Sequence, residues 1–223
     1  MKTINLKTAG VLLLFLIALT HYSCTKNEQA WFPVTGAGEL KTETRHPGMF
    51  TNIKYLIKGN VTIVKGDATE VRVSAQENLL PLLETEVANG TLFISFGSHA
   101  VVTDSLVSVQ ITVPEVRELT FSGNGQVNSQ QPISSINLAG NGNITCSGET
   151  DQVLVKLSGS GLVNLDKMVT RKAQVKITGN GNVSLNVTDQ LDVAIQGLGI
   201  VYYSGMPQVQ QNITGMGQVI EKK

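Results

Sequence analysis

Among the aspartates in the C-terminal half of this chain are Asp166, Asp189 and Asp192, and its two arginines are Arg117 and Arg171. Paired carboxylates are what glycosidic hydrolysis needs, and folding can bring distant carboxylates together. These aspartates occupy different positions of a repeating phrase, so they form no recurrent acidic row. His46 and His99, the histidines beyond the N-terminal segment, lie in irregular stretches without ligand-like spacing. Gly-x-Gly opens dinucleotide-binding phrases, but here no third glycine follows at the needed spacing and no helix succeeds it. Calcium-binding rolls repeat Gly-Gly-x-Gly-x-Asp, and no aspartate recurs in that way. The sequence therefore assigns no catalytic residue, no cofactor and no metal.

What does recur is the Gly-x-Gly phrase itself. Its pairs are Gly123/Gly125, Gly140/Gly142, Gly159/Gly161, Gly179/Gly181, Gly197/Gly199 and Gly215/Gly217, with successive starts 17, 19, 20, 18 and 18 residues apart. A period this regular is the mark of a repeat architecture. Apolar residues alternate on both sides, as in Val155, Leu157, Gly159, Gly161, Val163 and Leu165. The glycines keep the parity of the apolar residues and so belong nominally to the inward face. A glycine there allows a tight bend or the close approach of another backbone. Each repeat reads as two short strands meeting at a corner, and one repeat alone cannot bury its inward face. Stacked repeats can, which predicts an all-β, parallel β-helix-like solenoid of about six coils of 17–20 residues.

The residue between the glycines points outward: Asn124, Asn141, Ser160, Asn180, Leu198 and Met216. Stacked asparagines can bond to one another along such a column. The same stripe can also meet a glycan or a protein. Leu198 and Met216 make its C-terminal end apolar, and with outward Tyr202 they form the candidate contact patch. Cys146 falls at an inward position and reads as a buried thiol. Asp104-Ser105-Leu106, in an expected loop, matches a short acceptor phrase that makes Ser105 a candidate for O-glycosylation.

Charged residues make up 15% of the chain and aromatics 5%, while Gly, Val, Thr, Ser and Asn are abundant, as expected for strands and turns. With 17 basic and 17 acidic residues the net charge is zero, and no basic stripe or aromatic platform suits a nucleic acid. Residues 1–23 read as an export signal. Lys2 and Lys7 precede an apolar run from Ala9 to Leu19, too short to span a membrane. Cys24 follows directly, the pattern of a lipoprotein signal whose cysteine becomes the acylated first residue and anchors the protein to a membrane. An ordinary secretory signal cut nearby is the alternative, because His21 and Tyr22 replace the usual small residues. Residues 24–49 read as a tether. Residues 50–118 hold short alternating strands, such as Ile53, Tyr55 and Ile57, separated by turns. Residues 119–223 hold the repeats, with the N-terminal strands extending or capping them.

The signal and cysteine, the Asn89-Gly90-Thr91-Leu92-Phe93-Ile94 strand entry, Val109 to Pro114 and the repeated Gly-Asn-Gly phrases resemble the bacterial head GIN domain family. That family is described as auto-transporter adhesins and is common in Bacteroidetes. The resemblance covers about residue 50 to the C-terminus. It implies a right-handed parallel β-helix-like fold and an exported location, and it carries over no catalytic residue. The expectation is a lipid-anchored envelope protein at the outer membrane, on its periplasmic face or the cell surface, that binds a glycan, a protein or another copy of itself. A structural envelope protein is the alternative, and a carbohydrate-active enzyme a third reading.

Overall fold

Alternating short strands begin soon after the start of the computed structural model, which describes residues 32–222. The export segment, Cys24 and Trp31 lie outside the described residues. In chain order the first strands are β1 (Val34–Thr35), β2 (Leu40–Arg45), β3 (Asn52–Tyr55), β4 (Gly59–Lys65) and β5 (Glu70–Gln76). A single 3₁₀ turn at Leu80–Leu82 follows, with Pro81 in its first turn, where proline's missing N–H costs nothing. Next come β6 (Glu84–Ala88), β7 (Thr91–Ser95), β8 (Val101–Val102) and β9 (Val107–Val113). Asn89 and Gly90, with φ of 50° and 71°, make the tight β6–β7 hairpin. The repeats supply β10 (Glu118–Phe121), β11 (Asn124–Ser129), β12 (Ser135–Leu138), β13 (Asn141–Leu157), β14 (Ser160–Ile177), β15 (Asn182–Ile195), β16 (Ile200–Ser204), β17 (Gln208–Ile213) and β18 (Gln218–Glu221).

These strands stack into a parallel β-solenoid with coils of about 19 residues; the six corners bound about five turns. Its first face runs β7, β3, β10, β12, then the second halves of β13, β14 and β15, and ends at β17. Its second face runs β9, β4, β11, the first halves of β13, β14 and β15, then β16 and β18. Inward positions such as Val155, Leu157, Val163, Leu165, Val175 and Ile177 are fully buried. Tyr55 stacks on Phe121 of the next coil with ring centroids 5.3 Å apart and planes 3° apart.

The Gly-x-Gly corners are sites of close backbone approach. At each of the twelve glycines an added Cβ would lie within 2.7 Å of a carbonyl oxygen one rung away. Among them only Gly125, with φ of 145°, also has a backbone that disfavours side chains. For the first glycine of each pair (Gly123, Gly140, Gly159, Gly179, Gly197 and Gly215) the nearest atoms are all backbone.

The two glycines of a pair differ in their surroundings at Gly142, Gly181, Gly199 and Gly217. Gly142 lies within β13, and Gly181, Gly199 and Gly217 directly precede β15, β16 and β18. A Cβ on these residues would also meet an inward side chain of the preceding coil. That side chain is Phe121 at Gly142, Leu157 at Gly181, Ile177 at Gly199 and Ile195 at Gly217. These second glycines therefore make room for the core as well as for backbone. The physical reason is their inward parity at the start of a strand, where the side chain below fills the space a Cβ would take.

The N-terminal strands both extend and cap the stack. The β3–β4 rung lies between the β7–β9 and β10–β11 rungs, so the first two rungs are placed in reverse of their order in sequence. Antiparallel strands then cover the outer edges, β6 on β7 and β5 on β9, with β2 outside β5. The segment read as a tether therefore holds two strands. Every residue of β2 but Arg45 is exposed, so it has no apolar alternation to betray it and is held as a strand by backbone pairing. The segment between β7 and β9 likewise contains β8, paired in parallel with β1.

Candidate binding surface

In-register stacking arranges outward side chains of the first face in columns, one residue per coil, about 4.8 Å apart. One column runs Glu118, Ser135, Leu154, Gln174, Asp192 and Gln210. Beside it runs Thr120, Asn137, Lys156, Lys176, Ala194 and Asn212, and on its other side Gln152, Lys172, Gln190 and Gln208. Small Ser135 and Ala194 lie low between longer neighbours. The result is a shallow trough of two joined parts, of about 570 and 550 Å³, which share Leu154, Gln174 and Asp192. Its walls carry primary amides, which both donate and accept hydrogen bonds. Lys156, Lys172 and Lys176 make no ion pair among the described residues. Asp192 accepts a 3.0 Å bond from Gln190 through Oδ2, while its Oδ1 has no partner among the described residues.

The aspartates are not brought together as a catalytic pair. Asp166 on the second face accepts bonds from Ser184 Oγ at 2.6 Å and from Lys222 Nζ at 2.7 Å on each oxygen. Burial opposes its ionisation, but the hydrogen bonds from Lys222 and Ser184 outweigh burial and hold the carboxyl below the ordinary range. Asp189, on the connecting side of the coil, is lowered by Thr188 and then by Arg171, whose guanidinium spans Asp189 at 2.9 Å and Asp151 at 3.0 Å. Among the described residues no group of three metal-ligating side chains occurs. Cys146 is buried, and burial pushes its thiol up to about 12.

Leu198 and Met216 are exposed at the last two corners, and Tyr202 is half-buried on β16, in register with Ile220. Of the outward corner asparagines, Asn124 bonds to backbone, its Oδ1 accepting from the N–H of Asn141 at 3.3 Å; Asn182, just past the Gly179/Gly181 corner, does the same with the N–H of Ile200 at 2.9 Å. Ser105 is half-buried just before β9, and its N–H donates to Thr103 Oγ1 at 3.1 Å. The trough itself escaped the sequence reading. Its signal was the outward-parity amides Gln152, Gln174, Gln190 and Gln210, which no motif singles out until coil register aligns them.

Among curated proteins no sequence matches. Among solved structures, a "putative adhesin" from Bacteroides fragilis is 18% identical, with a TM-score of 0.58 over 85% of this chain and 100% of that one. Another from Parabacteroides distasonis is 20% identical, with a TM-score of 0.56 over 86% of this chain and 100% of that one. A third, from Parabacteroides merdae, is 22% identical, with a TM-score of 0.52 over 85% and 99%. At these identities the likeness concerns the fold. The model of the family described as "putative auto-transporter adhesin, head GIN domain" matches residues 49–207, and the chain belongs to that family.

Proposed function

We propose that this chain is an exported, envelope-associated binding module of adhesin type, not an enzyme, and that it takes a glycan along the first-face trough. The observation that carries the reading is the trough itself: open, elongated and lined by amides at a regular spacing. A polysaccharide presents hydroxyls along an extended chain, and regularly spaced amides match them without a deep pocket. Family membership supports an adhesive role outside the cytoplasm. The same reading takes Cys24 as the acylated residue that holds the module at the outer membrane; an N-terminal mass that begins elsewhere and carries no acyl chain overturns the anchor.

Ala194→Trp fills the trough without touching the core. On a glycan array the exported protein is expected to retain a glycan class, the variant to lose it by about tenfold or more, and Thr62→Ala on the second face to keep it. Equal retention by Ala194→Trp, or no retained glycan at all, overturns the reading.

A further inference from the structure

The two ends of the solenoid are finished differently. At the N-terminal end the outer edges of β7 and β9 each carry an antiparallel strand. At the C-terminal end, among the described residues, β17 pairs only with β15, and β18 only with β16. Ladder bonds fix which groups remain on that edge. The N–H of Thr214 donates to Ile195 and that of Gln218 to Gly199, so even-numbered residues face the preceding coil. By alternation the N–H and C=O groups of Val209, Gln211 and Ile213 on β17, and of Val219 and Glu221 on β18, face outward.

Natural edge strands are commonly guarded by charge, proline or a bulge. β17, Gln208 to Ile213, contains neither charge nor proline. Lys222 could guard the second face, but its ammonium turns back to Asp166 and Ser184. Exposed apolar side chains also gather on these last rungs: Leu198 at 50%, Met206 at 94%, Ile213 at 36% and Met216 at 80%.

We infer that this end is an interface with a second copy of the chain, joined tail to tail by antiparallel pairing of β17 with β17 of the partner. Antiparallel pairing of a strand with itself has a two-fold axis normal to the sheet, so both partners use the same surface. An uncharged strand meets its copy with no like charges opposed. Each N-terminal end finishes in β2 and β6, edge strands that carry Lys41, Glu43 and Arg45, and Glu84 and Glu86. Charge of this kind guards an edge, so the association closes at two copies and does not grow into a fibre. The axis keeps the two first faces on one side, which sets two troughs on one continuous sheet.

Sedimentation velocity of the exported protein over a concentration series tests this. The expected result is a reversible species of twice the chain mass. Gln211→Pro removes an edge N–H and leaves the β15 ladder intact, and Ile213→Lys puts a charge on the otherwise uncharged edge strand of each copy. Each is expected to raise the concentration of half-dimerisation by about tenfold or more, with circular dichroism confirming a native β spectrum. Thr44→Lys on the opposite edge strand leaves it unchanged. A monomer at every concentration, a dimer indifferent to whichever of the two variants folds, or an open-ended ladder of species overturns the proposal.

Discussion

At the corners of this solenoid even a methyl group is too large. A Cβ on Gly159 would fall on the carbonyl oxygen of Gly140, and its nearest neighbours are all backbone atoms of Ala139 and Gly140, which cannot swing aside as a side chain can. The cost is steric, not conformational, because Gly159 does not adopt positive φ. Gly159→Ala is expected to destabilise by about 3 kcal/mol or more, read as a lower urea midpoint at unchanged slope. Gly66→Ala meets only the terminal methyl of Thr112 and should cost far less. Equal losses at the two sites would show that glycine serves chain flexibility at the corner and not close approach. This feature was legible in the sequence, since the glycines share the parity of the buried Val155 and Val163. Three details could not be read there, because all depend on the neighbouring coil: the oxygen each glycine faces, the core side chains against Gly142, Gly181 and Gly217, and the preference of Asn124 and Asn182 for backbone partners.

At the scale of elements, the repeats announce themselves and the caps do not. Apolar alternation marks β9, and turn residues mark the β6–β7 hairpin, but the Leu40–Arg45 strand has no buried apolar face and is held through pairing with β5. Reversal of the first two rungs is equally silent, since parallel neighbours need not be consecutive in the chain. The Asp166–Ser184–Lys222 strap is another long-range element, tying the C-terminal residues to β14 and β15. Asp166 has a depressed carboxyl, so its contribution is present above the unfolded value and is lost as pH falls through the folded one. Its side chain is 38% exposed, and solvent screening limits the strap to about 0.5–1 kcal/mol. Asp166→Asn is expected to lower the thermal midpoint at neutral pH and to narrow its gap from wild type in acid. A gap that stays constant on acidification would assign the loss to packing.

At the scale of the whole stack, stability should be graded along its axis. In a solenoid each coil meets only its neighbours, so a rung paired on both sides gains two interfaces and a terminal rung one. β9 lies between β4 and β5, and its inward residues Val107, Val109, Ile111 and Val113 are all buried. At the other end β17 has five exposed positions of six and a single pairing partner. Local opening should therefore begin at β17 and β18 and reach β9 and β4 last. In hydrogen exchange on dilute protein, amides of Val209, Gln211 and Ile213 are expected to exchange first and those of β4 and β9 to report global unfolding. Raising the protein concentration should slow the β17 amides selectively, because the tail-to-tail pairing gives those same N–H groups acceptors. Uniform protection from β4 to β17 in dilute solution would mean that the coils unfold as one unit, and the corners would then transmit more coupling than nearest-neighbour stacking supplies.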